Sequence, residues 1–148
     1  MTAEATPPPA EPRRMRLTGL HHVTAITRDL AATTAFYCDV LGLALVRQEA
    51  NPDDPEARHF WFGAGGEADP RAGTLVSFLE YPELESTPPG AGSTHHFALA
   101  VGSAAELEAW VDYLRSRDVE CTGVLDRGAF SSVYLRDPDG RLIEIATE

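Results

Sequence analysis

The chain is predicted to be an α+β protein in which two βαβββ modules pair mixed sheets around a metal-binding cavity. Three observations lead there. The segment Gly19-Leu20-His21-His22-Val23-Thr24-Ala25-Ile26 recurs as Ser93-Thr94-His95-His96-Phe97-Ala98-Leu99-Ala100, and self-similarity at a wide spacing marks a duplicated unit. Each copy leads into a capped, one-sided apolar helix pattern. Each helix is then followed by three strand-like segments separated by turn residues.

The repeated segments are short and rich in apolar or β-branched residues, so both read as strands. The first helix starts near Asp29, carries Phe36, Tyr37, Val40 and Leu41 on one face, and stops at Gly42. The second opens with Ser103-Ala104-Ala105-Glu106, a capping-box pattern. It then places Leu107, Trp110, Val111 and Leu114 at helical spacing, which makes an apolar stripe. Strands are expected at 43–49, 58–63 and 74–81, and again at 120–125, 131–136 and 141–146. The separators Asn51-Pro52-Asp53-Asp54-Pro55, Gly63-Ala64-Gly65-Gly66, Asp126-Arg127-Gly128 and Asp137-Pro138-Asp139-Gly140 are turn chemistry. Residues 1–16 read as a disordered or extended tail, because the run Thr6-Pro7-Pro8-Pro9-Ala10-Glu11-Pro12 lacks N–H donors and freedom in φ. Residues 17–148 then form one domain: module 1 at 17–82, a linker at 83–92 and module 2 at 93–148.

Composition bounds the function. The 148 residues are 43% hydrophobic and 24% charged, ordinary for one globular domain with a real core. A formal net charge of −11 repels nucleic acid and anionic membrane surfaces. No apolar run approaches the roughly 18 residues that span a bilayer, and the N-terminus has no signal-peptide pattern. A cytoplasmic protein is expected by default. Cys38 and Cys121 make neither a disulfide framework nor a CxxC motif and read as reduced thiols.

The chemistry sits on strands. Adjacent strand residues face opposite ways, so one imidazole of each His-His pair faces a shared cavity. His22 matches His96 in the repeat, so both pairs use the same member; the flanking residues leave open which. Glu144 lies between Ile143 and Ile145, where an ionised carboxylate needs a partner or a metal. Two imidazoles and one carboxylate suit a divalent ion and leave coordination positions open, the pattern of non-haem Fe(II) sites.

The chain after the tail resembles the vicinal oxygen chelate superfamily of glyoxalases, extradiol ring-cleaving dioxygenases and fosfomycin and bleomycin resistance proteins. The resemblance is carried by Leu20-His21-His22-Val23-Thr24, by Phe36-Tyr37 with Val40-Leu41-Gly42-Leu43, by His95-His96-Phe97-Ala98, and by Tyr134-Leu135-Arg136-Asp137-Pro138-Asp139-Gly140 ahead of Ile143-Glu144. It implies that His22, His96 and Glu144 are the metal ligands, with His21 and His95 turned away. The ion implied is Fe(II) or Mn(II) first, with Zn(II) or Ni(II) as alternatives. Matching the last strands of the two modules puts Ser77 where glyoxalases take a fourth ligand, and serine is a poor one. Tyr134 precedes Glu144 at the offset of an active-site tyrosine in extradiol enzymes. The stretch around Asn51, Asp53-Asp54-Pro55 and His59-Phe60-Trp61-Phe62-Gly63 resembles the first module of hydroquinone-type ring-cleaving dioxygenases, whose chains are about twice as long. The expectation is an extradiol-type enzyme with Tyr134 and His59 as catalytic residues, working as a homodimer. The alternatives on the same scaffold are a glyoxalase or isomerase, a thiol transferase, and a metal-free ligand-binding protein of the bleomycin-resistance kind.

Overall fold

The duplication in the sequence is a duplication of hydrogen-bonded register. The computed structural model describes residues 15–65, 69 and 72–147; the proline-rich run at 6–12 lies outside them, as do residues 66–68, 70–71 and 148. Module 1 contains β1 (His22–Thr27), α1 (Leu30–Thr34), β2 (Ala44–Asn51), β3 (Asp54–Gly63) and β4 (Leu75–Glu80). Module 2 contains β5 (His96–Ala100), α2 (Ala104–Ser116), β6 (Leu125–Asp126), β7 (Ser131–Arg136) and β8 (Leu142–Thr147). Among the described residues these strands form two four-stranded sheets, ordered β1-β4-β3-β2 and β5-β8-β7-β6. In each, the first strand pairs parallel with the last, and the other pairings are antiparallel. Thr24 pairs with Ser77, as Ala98 does with Glu144. Trp61 faces Ser77 across the antiparallel ladder, as Tyr134 faces Glu144. Ser77 and Glu144 are therefore equivalent positions, as are Trp61 and Tyr134, Thr24 and Ala98, and His59 and Ser132.

Local chemistry sets the element ends. Asp29 Oδ1 accepts the N–H groups of Ala31 and Ala32 at 2.9 and 3.0 Å, capping α1. Ser103 Oγ accepts the Glu106 N–H at 3.3 Å, while Glu106 reaches back to the N–H of Gly102, one residue beyond a standard capping box. The helix expected over 29–42 is interrupted. After Thr34 it widens into a π-helical turn, Ala35–Val40, which buries the neighbours Phe36 and Tyr37 together. Gly42 then turns the chain at φ 76°, a conformation glycine adopts without strain.

Two strands differ in length from expectation by four residues each. β3 starts at Asp54 rather than near residue 58, because Asn51 Oδ1 accepts the Asp53 N–H at 3.2 Å and closes a tight hairpin. Pro55 is tolerated there, since the pairing with β4 begins only at His59. The strand expected at 120–125 shrinks to β6. In its place Thr122 binds both backbone groups of Tyr134, its N–H donating at 2.9 Å and its Oγ1 accepting at 3.0 Å.

The core is one cluster drawn from both modules, including Leu30, Tyr37, Phe62 and Phe78 with Phe97, Leu107, Leu114, Ile143 and Ile145. The modules meet through the turn after β7. Asp137 Oδ2 accepts the Tyr37 hydroxyl at 3.0 Å and Arg141 Nη1 at 2.7 Å. Arg141 Nη2 donates to the Ile26 carbonyl at 2.8 Å, and its guanidinium lies 5.4 and 5.6 Å from the Phe78 and Phe97 ring centres. Burial, reinforced by the Asp137 charge, pushes the Tyr37 phenol above its ordinary range. No helix among the described residues is long and apolar enough to cross a membrane.

Asp137→Ala should therefore lower stability by about 3 kcal/mol, because it strips a shared acceptor from the Arg141 guanidinium and the Tyr37 hydroxyl. Urea unfolding reads this as a lower midpoint at unchanged slope. A loss below about 1 kcal/mol would mean that the contact behaves as an exposed ion pair.

Candidate functional site

In each sheet the residues that alternate with the core-facing ones carry polar and aromatic side chains. In module 2 this face centres on Glu144, which is 3% exposed. Its Oε2 lies 2.8 Å from His96 Nε2, and its Oε1 accepts the Tyr134 hydroxyl at 3.0 Å. The parallel β5–β8 pairing and the β7–β8 hairpin deliver these three residues from different strands. The Arg127 guanidinium sits 5.0 Å from the centre of the Tyr134 ring.

The equivalent face of module 1 holds a different polar group. Ser77 is fully buried; its Oγ lies 2.8 Å from Thr24 Oγ1 and 2.9 Å from His59 Nε2. The other imidazole nitrogen, His59 Nδ1, is 3.9 Å from Glu49 Oε1, an electrostatic contact beyond hydrogen-bond length. Glu49 Oε1 instead accepts the Trp61 indole N–H at 2.9 Å. Trp61 is stacked under the Arg47 guanidinium at 4.2 Å and meets the rings of His59 and His22 at 4.6 and 4.8 Å. Burial lowers the proton affinity of His59. Arg47 and His22 act in the same direction, and Glu49 opposes them.

The residues singled out from sequence thus fall into two groups. His96, Tyr134 and Glu144 are in mutual contact, whereas His22 and His59 share the other module with Trp61. Among the described residues no three His, Cys, Asp or Glu side chains are gathered closely enough to hold a metal ion. In each histidine pair the Nδ1 atoms approach, at 2.8 Å for His21 and His22 and 2.9 Å for His95 and His96. His95 lines an 860 Å³ cleft with Thr24, Ile26, Phe97 and the linker, while His96 turns to Glu144. That cleft does not reach Glu144 or Tyr134. Sequence reasoning passed over Glu49, Trp61 and Thr24. The available signal was the period of two: Trp61 follows His59 by two residues, Thr24 follows His22 by two, and Glu49 is the cross-strand partner of His59.

Residues 19–145 match the Glyoxalase/Bleomycin resistance protein/Dioxygenase superfamily, and the chain belongs to that superfamily. It is 32% identical over 135 residues to "Putative ring-cleaving dioxygenase MhqA" of Bacillus subtilis (strain 168), covering 90% of this chain and 42% of that protein. It is also 32% identical over 130 residues to "Uncharacterized protein YaeR" of Escherichia coli (strain K12), covering 85% and 93%. A crystal structure of a "putative dioxygenase" from Bacillus subtilis superposes with a TM-score of 0.76 at 32% identity, over 88% of this chain and 40% of that one. The chain spans 32–42% of the length of the three Bacillus subtilis ring-cleaving relatives that it matches.

The environment of His59 predicts a pH effect. Its folded-state pKa lies below the unfolded value of about 6.5, so the unfolded chain takes up the proton first as pH falls. Stability should drop as pH falls below about 6.5, and His59→Gln should flatten that drop. Urea midpoints at pH 7 and pH 5 check this; equal drops in parent and variant would contradict it.

Proposed function

We propose that the chain is a metal-dependent enzyme of the extradiol ring-cleaving type, acting on a small oxygenated aromatic such as a catechol or hydroquinone. His22, His96 and Glu144 are the proposed ligands of one divalent ion, with Fe(II) or Mn(II) favoured and Zn(II) or Ni(II) compatible with the same donors. The observation that carries this reading is the buried Glu144 carboxylate in contact with His96. A neutral imidazole and a carboxylate are donors that a borderline divalent ion would accept together. His96 Nε2 and Glu144 Oε2 lie 2.8 Å apart, so one ion could be held by both. When bound, such an ion supplies Lewis acidity for adjacent substrate oxygens and open positions for O₂. The likeness to proteins named as ring-cleaving dioxygenases supports the choice of reaction.

The chain's own residues do the rest. The Tyr134 hydroxyl, now donated to Glu144, is a donor within reach of a substrate oxygen. Arg127 beside the Tyr134 ring favours developing negative charge. Trp61 and Tyr134, equivalent in register, stand beside His22 and His96 and give apolar walls for an aromatic ring. We further propose that the protein works as a homodimer. β1 and β5 each lie at a sheet edge, and a second copy laying its β5 beside β1 brings His22 to His96 and Glu144 of the partner subunit. Free Cys38 and Cys121 accord with a cytoplasmic setting.

Metal analysis of protein loaded anaerobically with Fe(II) or Mn(II) should give one ion per site. Glu144→Gln, which keeps the shape and removes the charge, should bind metal far more weakly; unchanged stoichiometry would show that the carboxylate is not a ligand. On a panel of catechols, hydroquinones and hemithioacetals, O₂-dependent ring cleavage is expected, and turnover of hemithioacetals alone would contradict the reading. Tyr134→Phe should keep its metal and lose at least about tenfold in rate, about 1.4 kcal/mol of transition-state stabilisation. A variant as fast as the parent would reduce Tyr134 to packing.

A further inference from the structure

We infer that Thr24, Ser77 and His59 form a proton relay leading from the cavity face of module 1 to a buried imidazole. The inference rests on the metal-site reading above and adds a destination for the substrate's proton. Thr24 is exposed and lies two residues after His22 on β1, on the same strand face. Behind it Ser77 is fully buried, and its hydroxyl touches Thr24 on one side and His59 on the other, at 2.8 and 2.9 Å. A hydroxyl has one proton to give and lone pairs to receive one, so two in series can pass a proton along without moving heavy atoms. His59 is 8% exposed, and these hydroxyls connect its Nε2 to the exposed position of Thr24 on β1.

The charged groups around His59 suit a transient acceptor. Glu49 on β2 lies 3.9 Å from Nδ1 and stabilises an imidazolium. Arg47, also on β2, and His22 on β1 oppose it. Glu49 is held in place by the Trp61 indole, so it acts as a positioning residue. The opposite module lacks this path. At the equivalent places it has Ala98, which has no hydroxyl, Glu144, and Ser132, whose buried Oγ has no hydrogen-bond partner among the described residues. Duplicated positions have diverged, with a ligand carboxylate in one module and a hydroxyl–imidazole chain in the other.

The step balances. A hydroxyl of the aromatic substrate gives its proton to Thr24 Oγ1 as Thr24 passes its own to Ser77 Oγ and Ser77 passes its own to His59 Nε2. The products are a substrate oxyanion and an imidazolium, and the reverse sequence returns the proton later in the cycle. No oxidant or reductant is involved.

The test uses the full chain, labelled with ¹⁵N-histidine and loaded with diamagnetic Zn(II), with 4-nitrocatechol as the probe because its absorbance reports ionisation. In the parent, the probe should bind through a neutral hydroxyl and ionise in the site, and the His59 Nε2 resonance should convert from the acceptor to the protonated form. In Ser77→Ala and Thr24→Val, with zinc stoichiometry unchanged, the probe should bind and the His59 resonance should stay put. Thr24→Ser, which keeps the hydroxyl at an exposed position, should restore the response. A parent whose His59 stays neutral while the probe ionises, or a Ser77→Ala variant that responds like the parent, overturns the relay and leaves the metal reading standing. A parent that takes up no zinc overturns the metal reading, and the relay with it.

Discussion

The parallel pairing of the first and last strand in each module is the constraint on which the rest depends. It joins residues some fifty positions apart, Thr24 with Ser77 and Ala98 with Glu144. Because side chains alternate along a strand, one register decides the whole face. A slip of a single residue would send Glu144 into the apolar core and Ile143 or Ile145 to the polar face. The helices and the Asp137–Arg141 contact sit on the core side of that pairing and stiffen it. The polar face is left to vary with little effect on the fold.

Variation on that face is what separates the modules. The two sheets share strand order and register, yet position 77 is a serine hydroxyl and position 144 a carboxylate. A buried carboxylate needs compensation, and Glu144 takes it from His96 and Tyr134. Ser77 needs only hydrogen bonds, which Thr24 and His59 provide. The asymmetry explains why one module can offer a charged donor pair while the other offers neutral proton-carrying groups. In the proposed metal site, Ser77 stands where Glu144 stands in the other module and adds no carboxylate donor.

Much of this was legible in the sequence, for physical reasons that differ by element. The repeated His-His segment, the capped second helix and the Asp-Pro-Asp-Gly turn are local patterns, and the structure keeps them. The buried carboxylate of Glu144 was visible because charge between two isoleucines on a strand is costly. The π-helical turn at Ala35–Val40 was not legible, since adjacent Phe36 and Tyr37 fit an ordinary helix equally well on paper. The shortening of β6 was hidden for another reason: Thr122 replaces a ladder by side-chain and backbone bonds to Tyr134. Asp137 read as a turn former, and its second role as acceptor for Tyr37 of the other module depends on tertiary placement that has no sequence period. The Glu49–Trp61–His59 group lay within reach of the period-two rule but needed the β2–β3 register to be seen as one group.

The central proposal is that one ion is held by His22 from one module and by His96 and Glu144 from the other, and that two copies complete the site. Subunit complementation tests it most directly. His22→Ala and Glu144→Gln proteins, each inactive alone, are unfolded together, refolded as a mixture, and assayed for metal-dependent turnover and bound metal. A site shared between chains predicts recovery in the mixed dimer, because one of its two sites then combines an intact His22 with an intact His96 and Glu144. A site formed within each chain leaves every copy defective, and a mixture as inactive as its components would contradict the account.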